Sequence, residues 1–151
     1  MKRSKKTRLK KLLSILSLVL GVAVILVSIT RAKNMEYIYD LPEGELQEVL
    51  LLGQYITSSL DVSMDGQLSS RQHWLTGACP IGTLSSQEPQ AYTIELTRTM
   101  GQGKVVFSSH GGELVLWEPT DDNRITLDGG SYDVYCVGKH FWGSVTIAAV
   151  S

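Results

Sequence analysis

Polar and apolar positions divide the chain into stretches of different period. Leu12 to Thr30 is nineteen residues without a charge and without alternation. As a helix it is about 28 Å long, at roughly 1.5 Å per residue, close to the ~30 Å hydrocarbon core of a bilayer. Backbone groups in lipid must be satisfied within their own segment, so residues 12–30 are predicted to be one transmembrane helix. Arg31 to Glu45 turns polar, and Pro42 and Gly44 interrupt it, so residues 31–45 read as a stalk. Glu45–Leu52 fits either a helix, from the spacing of Leu46, Val49 and Leu50, or a strand buried at Val49–Leu52.

Beyond the stalk the dominant period is two. Ile56, Leu60, Val62 and Met64 alternate with Tyr55, Thr57, Ser59, Asp61 and Ser63; Tyr92, Ile94, Leu96 and Met100 alternate with Thr93, Glu95, Thr97 and Thr99. Shorter runs follow at Lys104–Ser108, Glu113–Glu118, Arg124–Leu127, Tyr132–Val137 and Ser144–Val150. Turn residues separate them at Gly101-Gln-Gly103, Gly111-Gly112, Asp121-Asp-Asn123 and Gly129-Gly130. Residues 46–151 are therefore predicted to be mostly β, a single antiparallel β-sandwich.

Charge adds a direction. The formal net charge is only −1, yet residues 1–11 hold seven basic residues and no acid, while residue 31 onward holds seven basic against fifteen acidic, a net of −8. The basic tail 1–11 is expected to stay cytoplasmic and the acidic head to be translocated, which makes a single-pass cell-membrane protein with an extracytoplasmic domain. A signal peptide cleaved after a weak small-x-small site around Ser28 to Ala32 is the competing expectation, and would release the domain. With the basic charge off the folded part, nucleic-acid binding is not expected.

Candidate chemistry is sparse. Cys79 and Cys136 both fall on the translocated side, where thiols oxidise, so a Cys79–Cys136 disulfide and a pair of buried free thiols both stand open. Cys79, just before Pro80, reads as a loop residue. The two Cys and three His have no zinc-ligand spacing, and Glu118, Asp121, Asp122 and Asp128 do not match a calcium loop, so no metal or other cofactor is expected. His73, His110 and His140 come without a nucleophile elbow or a His-Glu-x-x-His helix, and Ser109 and His110 point to opposite faces if extended. No catalytic residue is assigned. The aromatic residues carry more. Tyr55 opposes Ile56, Tyr135 opposes Val134, and Phe141-Trp142 lies in the last turn. Tyr55, Tyr135, Phe141 and Trp142 are the candidate binding aromatics, suited to stacking on sugars or anchoring a protein.

The tail Leu127-Asp-Gly-Gly-Ser-Tyr-Asp-Val-Tyr-Cys-Val-Gly-Lys-His-Phe-Trp-Gly-Ser-Val-Thr-Ile147 resembles the closing strands of small Ig-like sandwiches of Gram-positive envelopes. Gly53 to Gly66 and Gly103-Lys-Val-Val fit the same pattern loosely. The resemblance implies an Ig-like sandwich and an envelope setting, and it transfers no site. Together these readings predict a membrane-tethered, non-catalytic binding or accessory module. Its partners would be the membrane through 12–30 and an envelope protein or neutral glycan. A hydrolase or metal-dependent enzyme, assembled only in three dimensions, is the alternative.

Overall fold

The computed structural model describes residues 2–65, 67–119 and 122–150, with side chains from residue 9. Its first element is a helix, α1 (Lys2–Met35), longer than the apolar run predicts at both ends. The apolar side chains between Leu12 and Ile29 are exposed all round. This helix is long and apolar enough to cross a membrane.

Residues 31–45 depart from the expected stalk. α1 runs on to Met35, a 3₁₀ turn follows at Glu36–Asp40, and α2 (Glu43–Leu52) begins directly after Pro42. Pro42 starts this helix instead of interrupting structure: its carbonyl accepts from the Glu45 and Leu46 N–H groups at 3.1 and 2.9 Å. A proline lacking its own N–H costs nothing at a helix start. Glu43 and Glu45 complement the positive end of the helix, and Gly53, left-handed at φ 56°, closes it. The ambiguous segment 45–52 is thus helical, with Leu46 and Leu50 buried.

The rest is one seven-stranded antiparallel sheet: β1 (Tyr55–Ile56), β2 (Ser59–Met64), β3 (Leu68–Ser86), β4 (Gln90–Ser109), β5 (Leu114–Trp117), β6 (Arg124–Leu127) and β7 (Gly130–Ala149). Strand order is β1-β3-β7-β4-β5, with β2 also on β3 and β6 also on β4. Each of the three central strands has 19 or 20 residues and passes through both layers of the sandwich. A Cβ built on Gly82 would lie 2.7 Å from Leu68 Cδ1, fourteen positions back along the same strand. Fully extended, that stretch would span about 46 Å, so β3 folds over on itself. Register shifts at Gln72/Leu75 and Leu75/Gly77 in β3, and at Arg98/Met100 and Met100/Gln102 in β4, mark the bend. Phe141 is fully buried there. Side chains at Gly103 or Gly143 would come within 2.6 and 2.7 Å of its ring, so the bend closes around that ring only because those positions lack a Cβ.

One core cluster joins both layers, combining Leu68, Ile94, Val145 and Ile147 with Cys79, Val105, Phe107, Val134 and Cys136. A second cluster seals α2 and the 3₁₀ turn onto the outer face of one layer, through Ile38, Leu46, Leu50, Ala78, Val106 and Val137. Among the described residues, the helix-borne core cluster covers one layer and not the other.

Three expectations are corrected. β2 is not half-buried: its six residues are all exposed, because it pairs only with β3 at the sheet margin. Gly101-Gln-Gly103 is not a turn but part of the bend within β4. Cys79 lies in β3, not in a loop. The architecture is an antiparallel sandwich, and its single bent sheet does not single out the Ig-like form.

Candidate functional site

The uncovered face is built by residues of β3, β4 and β7 that point away from the core. Register aligns Arg71 with Ser144 and Ser144 with Thr97; Ser59 pairs with His73, and Trp142 with Met100. Arg71, His73, Thr97, Thr99, Trp142, Gly143 and Ser144 line a shallow cleft of about 270 Å³. Trp142 is 40% exposed, and the His73 ring packs on it at 5.0 Å, tilted by 48°. Ser59 Oγ lies 2.8 Å from His73 Nδ1, which fixes the imidazole against the indole. The cleft therefore offers one flat apolar plate ringed by hydroxyl, imidazole and guanidinium groups.

The other candidate aromatics sit elsewhere. Phe141 points into the bend and is fully buried, since neighbours in a strand alternate faces and Trp142 takes the outward one. Tyr135 packs against the cluster beneath α2. Tyr55 packs on the main core beside Cys79, and the nearby thiol together with burial raises the pKa of its phenol. Trp74, 44% exposed, stacks on His140 at 5.5 Å. Both residues hold left-handed backbone, φ 62° and 53°, a strain of about 1–2 kcal/mol per residue. They stand at the bend, where the register shifts. His140 Nε2 reaches Glu36 Oε1 at 2.8 Å, and the Thr76 hydroxyl accepts from the His140 backbone N–H at 3.2 Å.

Cys79 and Cys136 are direct register partners in β3 and β7, on the core side and fully buried. Both are free thiols. Burial pushes the Cys79 thiol up to about 11, with a hydrogen bond to Tyr55 pulling the other way; burial raises Cys136 further, helped by the neighbouring Cys79.

His110 and Asp133 approach at 3.4 Å near Ser109 and Ser131. The Ser109 hydroxyl, however, accepts from the Glu113 N–H at 2.9 Å, and Ser131 bonds Ser85 at 2.9 Å. Among the described residues no side-chain hydroxyl or thiol bonds the His110 ring, and no three His, Cys, Asp or Glu side chains cluster as a metal would need. In the acidic loop, Asp121 lies outside the described residues. The Asp122 carboxylate accepts from the Arg124 N–H at 2.9 Å, as a turn aspartate does.

No family model matches the chain, and no curated protein matches it. Among solved structures, it is similar to a carbohydrate-binding module from Cellvibrio mixtus lichenase 5A, in complex with cellotriose, at 12% identity and a TM-score of 0.34, over 65% of this chain and 91% of that one. It is also similar to a cupin domain from Bordetella pertussis at 11% identity and a TM-score of 0.27, over 64% of this chain and 94% of that one.

Proposed function

We propose that this chain is a membrane-tethered, non-catalytic binding module whose ligand sits in the cleft around Trp142. The observation that carries this is the uncovered sheet face, where Trp142 and His73 form a plate among groups able to bond hydroxyls. A plate of this kind suits a neutral, hydroxyl-rich ligand such as a glycan: the sugar's apolar face lies on the indole while Arg71, Thr97, Thr99 and Ser144 meet its rim. The net charge of −8 on residues 31–151 disfavours polyanions. α1 supplies the tether, with its basic end in the cytoplasm and the head outside.

The test uses the full chain in detergent on an array of neutral oligosaccharides. Binding by the wild type that Trp142→Ala abolishes supports the reading. Absence of any binding removes the sugar ligand, and an adduct between a photo-crosslinking residue at position 142 and a membrane protein in cells would make the chain an accessory subunit instead. A second reading, a hydrolase, has only the His110–Asp133 contact behind it and, among the described residues, no hydroxyl on the imidazole; labelling by a fluorophosphonate that disappears in His110→Ala would support it.

A further inference from the structure

The segment expected to hold the head away from the membrane instead binds it to the anchor. Four contacts hold the 3₁₀ turn to the sheet: Glu36 with His140 at 2.8 Å, Asp40 with Lys139 at 3.1 Å, the Lys104 ammonium donating to the Tyr39 carbonyl at 2.7 Å, and Ile38 fully buried. α1 itself also touches β1 and β3, and Ala32 is buried. No flexible spacer is left between the apolar helix and the sandwich.

This docking places part of the sheet beside the apolar run. Ile56 of β1 faces Leu20, Ala23, Val24, Val27 and Ser28 across a wedge of about 420 Å³ that also reaches Arg31. If α1 spans a bilayer, Val24 and Val27 lie within lipid, so Ile56 stands at the depth of the outer leaflet and the wedge cannot hold bulk water. Exposed side chains next to Ile56 along the chain, at the helix exit and across the strand pairing have the matching chemistry. Leu51, 82% exposed, and Leu52 end α2 just before β1. Exposed Tyr37 follows the helix exit. Exposed Trp74 lies across from the start of β2, since Ile56 pairs with Thr76 and the Ser58 N–H bonds the His73 carbonyl. Tyr and Trp are the side chains that favour the headgroup layer, and leucines prefer the chains beneath it.

We propose that the head rests on the bilayer through this collar, with Leu51, Leu52, Ile56, Tyr37 and Trp74 at the lipid surface and an acyl chain in the wedge against α1. The proposal rests on the reading of α1 as a membrane span. The occupant is lipid because the collar is continuous with the span itself and no other surface can reach the wedge without displacing lipid.

The test places a fluorescent probe on one introduced cysteine at a time in the full chain reconstituted into phosphatidylcholine vesicles, with nitroxide-bearing lipid as quencher; the native Cys79 and Cys136 are buried, and the unsubstituted chain carried through the same labelling gives their background. Val24→Cys reads the span, Leu51→Cys and Ile56→Cys read the collar, and Thr97→Cys reads the uncovered face. The expected result is strong quenching at 24 by nitroxide near the chain ends. At 51 nitroxide near the headgroups, and at 56 nitroxide along the acyl chain, should quench several-fold more than at 97. Quenching at 24 with 51 and 56 no different from 97 overturns the collar and leaves the anchor standing. No quenching at 24 overturns the anchor and the collar with it. Leu51 is so exposed that its substitution tests the collar even if the Ile56 variant folds poorly.

Discussion

The two outer faces of the sandwich use the same three strands and reach opposite ends. Under α2, the outward positions include Ala78, Val106 and Val137, small or branched and dry, and the buried charge of Lys104. On the uncovered layer the outward positions are Arg71, His73, Thr97, Thr99, Trp142 and Ser144. Strand alternation alone sends half of every strand outward; what lies over that half decides its composition. The covered face buys rigidity from the helix above it, and Lys104 is tolerated there because it donates to the Tyr39 carbonyl and lies 4.9 Å from the Tyr39 ring centroid. Burial still lowers its pKa, with Glu118 and Asp40 opposing. The uncovered face leaves its polar groups to solvent, and so to a ligand.

Substitutions that separate those faces should differ in a fixed order. Phe141→Ala removes the ring around which both layers close, and should cost about 3–5 kcal/mol in denaturant unfolding. Ile38→Ala loosens only the covered face, at about 2–4 kcal/mol, and should raise hydrogen exchange in α2 before the sheet. A loss at Ile38 matching that at Phe141 would mean that the covering helix and the bend form one unit.

Alkali comes next. The Cys79 thiol is raised from 9.0 to about 11 in the folded chain, so the folded state holds its proton more tightly than the unfolded state does. The stability this contributes is complete below pH 9 and is lost as pH rises toward 11. The decline should be shallower in Cys79→Ala, the Cys136 thiol and the raised tyrosines keeping the rest of it; a decline unchanged in that variant would place its origin elsewhere. Smallest of all, Trp142→Ala on the uncovered face should shift unfolding by less than about 1 kcal/mol while removing ligand capture. A large loss of stability there would show that the plate is packing after all.

Much of the fold can be read from sequence where the period is unbroken. β6 matches the Arg124–Leu127 run, and β5 lies within Glu113–Glu118. β3 is invisible because its interior positions include Ser70, Gln72 and Thr76, all buried, and because bulges reset its alternation. Glycines at 101, 103, 138 and 143 resemble turns in sequence, yet they serve a bend that lets strands continue, so two runs merge into β4 and two into β7. Trp142 and Phe141 have the same hydrophobicity pattern and only the geometry of the bend tells them apart. The covered face was hidden too, since Pro42 and Gly44 look like breakers until a helix is seen to start at one of them.

The 3₁₀ turn at the helix exit has a mechanical consequence. It grips β7 through Lys139 and His140, and β4 through Lys104, and these are inner strands of the sheet. Tension on a ligand held at Trp142, also in β7, would enter and leave the sandwich by the same central strand. The load path is short and crosses no sheet edge, so the hydrogen bonds of two flanking strands would share the strain along their length, and no peripheral strand would be peeled away.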